Sequence, residues 1–240
     1  MTASGADILI AEDVWGEAFE RLGRDHAVQR CPEAWADHDR LHELLASARA
    51  LVVRNRTQVD AALLAAAPQL EVVGRAGVGL DNIDLAAADA REVVVVAPAG
   101  ANAVSVAEHT VALALALARE LPAHDTAVRA GRWDRRPGRE LAGRTWGLLG
   151  WGATGQAVAR LAAGLQMTVR ACDPYAEPAA AKAAGVDLVS FGVLLETADV
   201  LSIHLPLTPQ TRGLLGAQAL ARVQPGTMIV NVGRGEVVDE

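Results

Sequence analysis

A glycine-rich segment that follows a short apolar run carries the clearest chemical pattern in this chain. The run Trp146-Gly147-Leu148-Leu149 is typical of a buried parallel strand, and Gly150, Gly152 and Gly155 come directly after it. Gly150 is expected to make a tight turn, Gly152 to let the backbone approach a pyrophosphate, and Gly155 to let a helix pack closely on the strand. This spacing predicts a dinucleotide site.

The residues that follow the glycines favour the same interpretation. A helix is expected to begin near Ala153 or Thr154, so that its free N–H groups face the phosphates. Asp173 closes a second apolar run, Met167-Thr168-Val169-Arg170-Ala171-Cys172, and its carboxylate can accept hydrogen bonds from both hydroxyls of an adenine ribose. Neither of the next two residues is Arg or Lys, so a 2′-phosphate would meet repulsion and NAD is favoured over NADP.

Composition and charge exclude several classes of partner. A chain of 240 residues with a formal net charge of −7 has no basic excess of the kind that binds nucleic acids or anionic membranes. Cys31 and Cys172 are too few for a disulfide framework, and Met1 to Asp7 has no secretory-signal character, so a cytoplasmic location is expected. The longest apolar run, Val111 to Ala118, is too short to span a bilayer, which predicts a soluble protein.

Apolar runs that favour strands alternate with helical patterns along the chain, as in repeated βαβ units. The strand-like runs are continuous in β-branched residues, which predicts parallel sheets covered by helices on both faces. A first unit ends at Ala97-Pro98-Ala99-Gly100, and an interdomain helix is predicted from Val104 to Glu120. Strands are predicted at residues 8–10, 50–53, 70–73, 93–96, 145–149, 167–172, 187–189, 200–205 and 228–232.

Four further segments resemble the signatures of one family. Arg75-Ala76-Gly77-Val78-Gly79-Leu80-Asp81-Asn82-Ile83-Asp84 resembles a substrate-loop signature, and Gly131-Arg132-Trp133 resembles a segment that leads into a nucleotide domain. His204-Leu205-Pro206-Leu207-Thr208 and Asn231-Val232-Gly233-Arg234-Gly235-Glu236-Val237-Val238-Asp239-Glu240 resemble two later signatures. Over nearly its whole length the chain is therefore similar to the D-isomer-specific 2-hydroxyacid dehydrogenases, most closely to their 3-phosphoglycerate dehydrogenase branch.

This resemblance implies an α/β fold with two doubly wound parallel-sheet domains and a cleft between them. Residues 1–100 would form a flavodoxin-like substrate-binding domain without its C-terminal return helix, and residues 101–240 a Rossmann NAD-binding domain that is incomplete at its C-terminus. The implied reaction is hydride transfer between NAD and the CH–OH of a small 2-hydroxy acid, possibly 3-phosphoglycerate. The implied partners are a small anionic 2-hydroxy or 2-oxo acid and a second copy of the chain, joined through the nucleotide domain.

Two arginines and a glycine loop are the candidates for binding the substrate acid. Gly77, Val78 and Gly79 follow a predicted strand and offer backbone N–H groups suited to a carboxylate, although an ordinary glycine turn is the alternative. Arg54 ends one predicted strand and Arg75 opens the glycine loop, so both can meet a phosphate or carboxylate with fork geometry. By resemblance they suggest a phosphorylated substrate, and the alternative is that each forms a surface ion pair.

Arg234 is the candidate catalytic residue. It lies just past the last predicted strand, between Gly233 and Gly235, and in the family the matching arginine grips the substrate. A guanidinium there can bind the carboxylate while it polarises the adjacent carbonyl, which stabilises the alkoxide-like charge that develops as hydride moves. Val232 and Gly233 are expected beside the cofactor.

His204 ends a predicted strand, but it is not assigned to proton transfer even though imidazole titrates near neutrality. In the family this position belongs to the loop on the nucleotide side, so Leu205, Pro206 and Thr211 are expected to flank the cofactor. No metal site is predicted. A solvated basic loop, rather than an anion site, is predicted for the arginines at positions 129, 132, 135, 136 and 139.

A proton donor is the part of this reaction that the chain does not show. Hydride transfer to a ketone needs an acid near the new alkoxide, preferably a histidine held by a carboxylate. The family supplies that Glu and His after the Val-Asp-Glu signature, whereas this sequence stops at Glu240. We therefore expect a C-terminally truncated portion of a longer dehydrogenase, inactive alone. The alternative is a non-catalytic NAD-binding regulatory or interaction protein.

Overall fold

The computed structural model describes residues 6–240, which fold into two compact units. The first unit reaches Ala101 and the second is Asn102–Glu240. Of the Met1 to Asp7 segment considered above, the first five residues lie outside the described part of the chain. No helix within residues 6–240 combines the length and the apolar character that are needed to cross a bilayer.

The first unit is built on one five-stranded sheet. Its elements are β1 (Ile8–Ile10), α1 (Glu17–Asp25), β2 (Val28–Arg30), α2 (His38–Leu45), β3 (Ala50–Val53), α3 (Ala61–Ala66), β4 (Val72–Arg75), α4 (Leu85–Ala90) and β5 (Val94–Val96). All neighbouring strands are parallel, and their order is β2-β1-β3-β4-β5. This is the flavodoxin-like order, so the predicted fold class is confirmed for this unit.

Aspartates begin three of these helices. The side chains of Asp37, Asp60 and Asp84 each accept a hydrogen bond from the backbone N–H three residues further on, at the start of α2, α3 and α4. Such N-caps satisfy N–H groups that have no partner within the helix. They therefore fix where each helix begins relative to the strand before it.

The second unit contains the other sheet, also of five parallel strands. Its elements are α5 (Ala103–Ala118), α6 (Leu121–Arg129), β6 (Thr145–Leu149), α7 (Ala153–Gly164), β7 (Thr168–Cys172), α8 (Pro178–Ala183), β8 (Val186–Leu188), α9 (Phe191–Thr197), β9 (Val200–Ile203), α10 (Ala217–Leu220) and β10 (Met228–Asn231). The order β10-β9-β6-β7-β8 matches five strands of the Rossmann sheet. The helix predicted between the units is α5, and it packs on α7 and β10 of this unit.

Helices cover both faces of each sheet. Trp146 and Leu148 of β6 join the core cluster that contains residues of α5 and α7, whereas Leu149 joins the cluster that contains residues of α9. In the first unit Leu51 packs with residues of α2, α3 and α4, and its neighbour Val52 packs with residues of α1. Because successive residues of a strand face opposite sides, this burial explains why the strands are continuous apolar runs.

A buried polar network crosses the core of the second unit. Trp146 and Ser202 are both fully buried, and the indole Nε1–H donates to Ser202 Oγ at 2.8 Å. Ser202 Oγ also lies 2.9 Å from Nε2 of His204. The strand pairing between β6 and β9 brings these side chains together, since Leu148 pairs with Ser202.

Removing the shared hydroxyl is expected to destabilise the protein. Ser202→Ala leaves the Trp146 Nε1–H buried without an acceptor, so the free energy of unfolding should fall by about 1–3 kcal/mol. Urea unfolding followed by circular dichroism measures this loss. Thr126→Ala is the control, because the Thr126 hydroxyl donates to Pro122 at an exposed position and its removal should change stability by less than about 0.5 kcal/mol. A similar loss in both variants would contradict the role of the network.

Candidate cofactor and substrate sites

Gly150 forms a turn that a side chain would block. Its φ of +92° lies in the region that favours glycine, and its N–H donates to the carbonyl of Cys172 at 3.0 Å. A Cβ at this position would fall 2.7 Å from the His204 carbonyl oxygen and 3.1 Å from Leu205 Cδ2. The turn after β6 is therefore enclosed by the ends of β7 and β9.

Gly155 and Gly152 differ in their surroundings. A Cβ on Gly155 would overlap the carbonyl oxygen of Gly150, so only glycine lets α7 start this close to the turn. A Cβ on Gly152 would meet no atom within 4 Å, which leaves the backbone open where α7 begins at Ala153. No side chain caps that helix start. The open backbone and uncapped helix start suit the pyrophosphate of a dinucleotide.

Asp173 stabilises the glycine turn, and it lies where the adenine ribose is expected. One oxygen accepts from the Trp151 N–H at 2.8 Å, and the other accepts from the Tyr175 N–H at 2.9 Å. A carboxylate oxygen has lone pairs for more than one hydrogen bond, so both oxygens retain acceptor capacity for hydroxyls. Asp173 is itself half-buried, and the neighbouring Tyr175 side chain is exposed.

The loops after β9 and β10 meet beside the glycine turn. Thr211 Oγ1 donates to the Pro206 carbonyl at 2.6 Å and accepts from the Thr208 N–H at 2.8 Å, which closes the loop after β9. A Cβ on Gly233 would lie 3.4 Å from the carbonyl oxygens of both Ile203 and Leu205. The structure thus brings Leu205, Pro206 and Gly233 to the same sheet edge as Gly150.

Arg234 is carried by a loop that Asn231 organises. Asn231 Oδ1 accepts from the Gly233 N–H at 3.1 Å, and Nδ2 donates to the Arg234 carbonyl at 2.9 Å. The Arg234 guanidinium also donates to the Gly233 carbonyl, at 3.2 Å. Val232 packs against the core cluster that covers β6 and β10. These contacts fix the backbone of the predicted catalytic arginine.

His204 is unsuited to proton transfer at neutral pH. Burial lowers the pKa of its imidazole from 6.5 to about 4. Its Nε2 is 2.9 Å from Ser202 Oγ, whereas Nδ1 is buried without a hydrogen-bond partner among the described residues. A group that is neutral throughout the physiological range is a poor general acid, so His204 is not expected to donate a proton.

The substrate-binding candidates lie in the first unit. The Arg75 guanidinium lies directly against Gly77, whose N–H donates to the Arg75 carbonyl at 2.8 Å, and Val78 is 37% exposed. The Arg54 guanidinium, after β3, lies 5.9 Å from the centroid of the Trp15 ring. Arg54 and the loop of Gly77, Val78 and Gly79 thus follow neighbouring strands of the sheet.

Sequence reasoning missed Glu12, which organises the loop that carries Arg54. Glu12 follows β1 and is 4% exposed, and its carboxylate accepts hydrogen bonds from the consecutive N–H groups of Arg54, Asn55, Arg56 and Thr57 at 2.8–3.1 Å. Burial alone would raise the pKa of this carboxyl, but the N–H groups of Thr57, Arg54 and Arg56 outweigh it and hold the pKa below its ordinary value. An acid directly after a buried strand was the available signal.

The predicted basic loop is only partly a loop. Arg129 ends α6 and pairs with Asp125 at 2.8 Å, while Arg136 pairs with Glu120 at 3.5 Å. Arg139 donates to the Gly226 carbonyl at 2.6 Å. These three arginines are exposed and engaged in local contacts.

The second unit has the fold and the glycine turn of a dinucleotide-binding α/β domain, because its turn lies where the strand order reverses between β6 and β9. Its residues 111–240 match the family described as D-isomer specific 2-hydroxyacid dehydrogenase, NAD binding domain. The D-3-phosphoglycerate dehydrogenase of Mycobacterium bovis is 48% identical over 238 residues, which cover 97% of this chain and 44% of that relative. The (S)-sulfolactate dehydrogenase of Chromohalobacter salexigens is 41% identical, with 98% of this chain and 77% of that relative covered.

A solved structure adds a bound cofactor to these similarities. The D-lactate dehydrogenase of Aquifex aeolicus, complexed with NAD and lactic acid, matches with a TM-score of 0.85 at 25% identity over 97% of this chain and 70% of that one. The chain belongs to the D-isomer specific 2-hydroxyacid dehydrogenase family, which confirms the family and cofactor predictions. It spans 44% of the length of the phosphoglycerate dehydrogenases that it matches at 48% identity.

Two glycines of the turn provide a matched pair for mutation. Gly155→Ala must push α7 away from the Gly150 carbonyl, so the free energy of unfolding should fall by roughly 1–3 kcal/mol. Gly152→Ala places its methyl group in open space at a φ of −71°, and stability should change by less than about 0.5 kcal/mol. Urea unfolding measures both values. Equal destabilisation by the two variants would refute the packing role of Gly155.

The buried imidazole of His204 predicts a pH dependence of stability. The unfolded chain takes up a proton below pH 6.5, whereas the folded chain does so only near pH 4, so stability falls as the pH decreases across this window. Between pH 6.5 and 5 the free energy of unfolding should fall by about 1.5 kcal/mol. A His204→Gln variant should lack this contribution in unfolding measurements at the two pH values. A titration midpoint near 6.5 for His204 by NMR would contradict the prediction.

Proposed function

We propose that the chain serves hydride transfer between NAD and the CH–OH of a small anionic 2-hydroxy acid. The observation that carries this proposal is the combination of an open helix start, a side-chain-free turn and an aspartate at one sheet edge of an NAD-binding domain. The residues present fit a dinucleotide, because the uncapped start of α7 offers backbone N–H groups and Asp173 retains acceptor capacity. When bound, the oxidised cofactor would accept the hydride and the reduced cofactor would donate it.

The cofactor is assigned to the second unit. The N–H groups at the start of α7 bind the pyrophosphate, and the Asp173 carboxylate accepts hydrogen bonds from the adenine ribose. The apolar loop residues around Pro206 exclude water from one side of the bound dinucleotide. The full set of proposed cofactor-binding residues is Gly150, Gly152, Ala153, Thr154, Gly155, Asp173, Leu205, Pro206, Thr211, Val232 and Gly233.

The substrate is assigned to the arginines and the glycine loop. Arg54, Arg75 and the N–H groups of Gly77, Val78 and Gly79 bind the anionic groups of the acid. Arg234 binds the carboxylate and polarises the reacting carbonyl, so that the negative charge on oxygen is stabilised as hydride is transferred. Several relatives at 40–48% identity are named D-3-phosphoglycerate dehydrogenase, which supports 3-phosphoglycerate as the substrate.

We further propose that two copies of the chain associate through the second unit and that the protein is cytoplasmic. Several apolar side chains on and after α5 and α6 are exposed, namely Leu117 at 54%, Val128 at 58% and Trp133 at 80%, and such side chains favour contact with another protein surface. Cys31 and Cys172 are both free thiols, in keeping with a reducing compartment.

Asp173→Asn tests the cofactor assignment. The amide keeps one oxygen acceptor but loses the charge and the second acceptor, so affinity for NADH should fall at least about tenfold. Isothermal titration calorimetry with NADH measures this affinity. Asp187→Asn is the matched control, since Asp187 is an exposed acid on β8 of the same unit and its replacement removes the same charge. Absence of NADH binding by the folded chain, or equal affinity of both variants, would refute the assignment.

A further inference from the structure

A cavity in the second unit lies along β8, the strand at one edge of the sheet. Its volume is about 660 Å³, which is within the range of sites that bind small molecules. Pro178 and Lys182 of α8, Asp187 of β8 and Val193 of α9 line it together with Arg170 of β7. Four consecutive elements of one unit therefore form the cavity.

The alternation of side chains along β7 directs Arg170 into this cavity. Val169 and Ala171 belong to the core cluster that contains residues of α5 and α7, so Arg170 between them faces the other side of the sheet. On that side the sheet is covered by α9, which packs chiefly against β6 and β7. The surface over β8 therefore stays open, and Val193 of α9 is 41% exposed beside it.

Arg170 and Lys182 bring two positive charges to the cavity that no acid neutralises by contact. Within residues 6–240 neither side chain forms a hydrogen bond or an ion pair, whereas Arg144 of the same unit pairs with Asp199 at 3.0 Å. Arg170 is also partly buried. A guanidinium that has lost part of its water binds an oxyanion more strongly than one in bulk solvent, so the cavity favours an anion.

Asp187 is the acid that opposes an anion in this cavity. It pairs in strand register with Arg170, and its side chain is exposed. An ion pair between these two residues would add little stability at such a position. Because Arg170 and Lys182 stand against one carboxylate, the lining keeps a net positive charge although the chain as a whole carries −7. That balance favours a ligand with a single negative charge.

Apolar side chains form another part of the lining. Pro178, Val189 and Val193 contribute to it, and they come from α8, from the end of β8 and from α9. An aliphatic chain that covered these side chains would leave water, and each methylene buried there would add to its affinity. Apolar walls with a few charged groups are typical of sites for organic ions.

The cavity is separate from the proposed cofactor site. Arg170 lies three residues before Asp173, which corresponds to about 10 Å along an extended strand. None of the residues to which we assign the cofactor lines the cavity. A ligand in the cavity would therefore not occupy the position of the dinucleotide.

We propose that this cavity binds a small monocarboxylate with an aliphatic body. Arg170 and Lys182 bind the carboxylate, and Pro178 and Val193 contact the aliphatic chain. The site is additional to those for NAD and for the 2-hydroxy acid, and it does not rest on the proposed function.

Three probes separate the contribution of charge from that of apolar contact. Hexanoate, acetate and hexylammonium are titrated into the ¹⁵N-labelled chain, and NMR follows the amide shifts of Asp187 and Val193. Hexanoate should bind at least about tenfold more tightly than acetate, which lacks the aliphatic chain, and than hexylammonium, which has the opposite charge. Equal affinity for hexanoate and hexylammonium, or no shift at these amides, would overturn the inference.

Replacement of the charged residues tests their roles. Arg170→Gln and Lys182→Gln should each weaken hexanoate binding at least about fivefold, whereas Asp187→Asn should strengthen it. Arg160→Gln is the matched control, because Arg160 is an exposed arginine on α7 outside the cavity. An equal loss of affinity in the control contradicts the site. If the Arg170→Gln protein does not fold, Lys182→Gln decides by the same measurement, since Lys182 is exposed.

The hexanoate titration is repeated in excess NADH to separate the two sites. Hexanoate affinity should be unchanged, and its loss would place the ligand in the nucleotide site and overturn the inference. If NADH does not bind to the chain at all, the proposed function fails, and the cavity is judged by the probes and the variants alone.

Discussion

The second unit depends on one steric constraint, the contact between the Gly150 turn and the backbone at the ends of β7 and β9. The turn is bonded to the Cys172 carbonyl, and the His204 carbonyl oxygen occupies the space that a side chain would need. Because three strand ends converge there, α7 can start beside the sheet with its N–H groups exposed only if glycine is present at the turn and at Gly155. The cofactor-binding surface follows from this close approach.

The first unit reaches a similar arrangement by a different means. Its loop after β3 is shaped by the Glu12 carboxylate, which provides from a neighbouring strand the acceptors that four backbone N–H groups require. In the second unit the start of α7, just after the glycine turn, has no side-chain cap on its N–H groups, whereas in the first unit the Glu12 carboxylate already accepts the N–H groups of the loop. The loop after β3 therefore presents the exposed side chains of Arg54 and Arg56 to solvent, rather than its backbone N–H groups.

Local patterns were sufficient for the parts of the fold that depend on neighbouring residues. The strands at 8–10, 50–53 and 145–149 and the helix that begins at Ala153 agree with prediction. The strand predicted at 70–73 is instead Val72–Arg75, since its register follows from pairing with β3. Short polar elements such as β2, α2 and α6 have little apolar periodicity and were missed. Glu12 was missed because its partners lie 42–45 residues away.

Asp173 holds the glycine turn and is also the residue to which we assign the adenine ribose, and this combination limits how the nucleotide preference can change. If an aspartate contacted only the ribose, a single substitution of that aspartate could make room for the 2′-phosphate of NADP. Here the carboxylate accepts the N–H groups of Trp151 and Tyr175, so its replacement would loosen the turn to which we assign the pyrophosphate. Adaptation to the phosphorylated dinucleotide would therefore need compensating changes in the turn, so the preference for NAD that we propose would resist evolutionary drift.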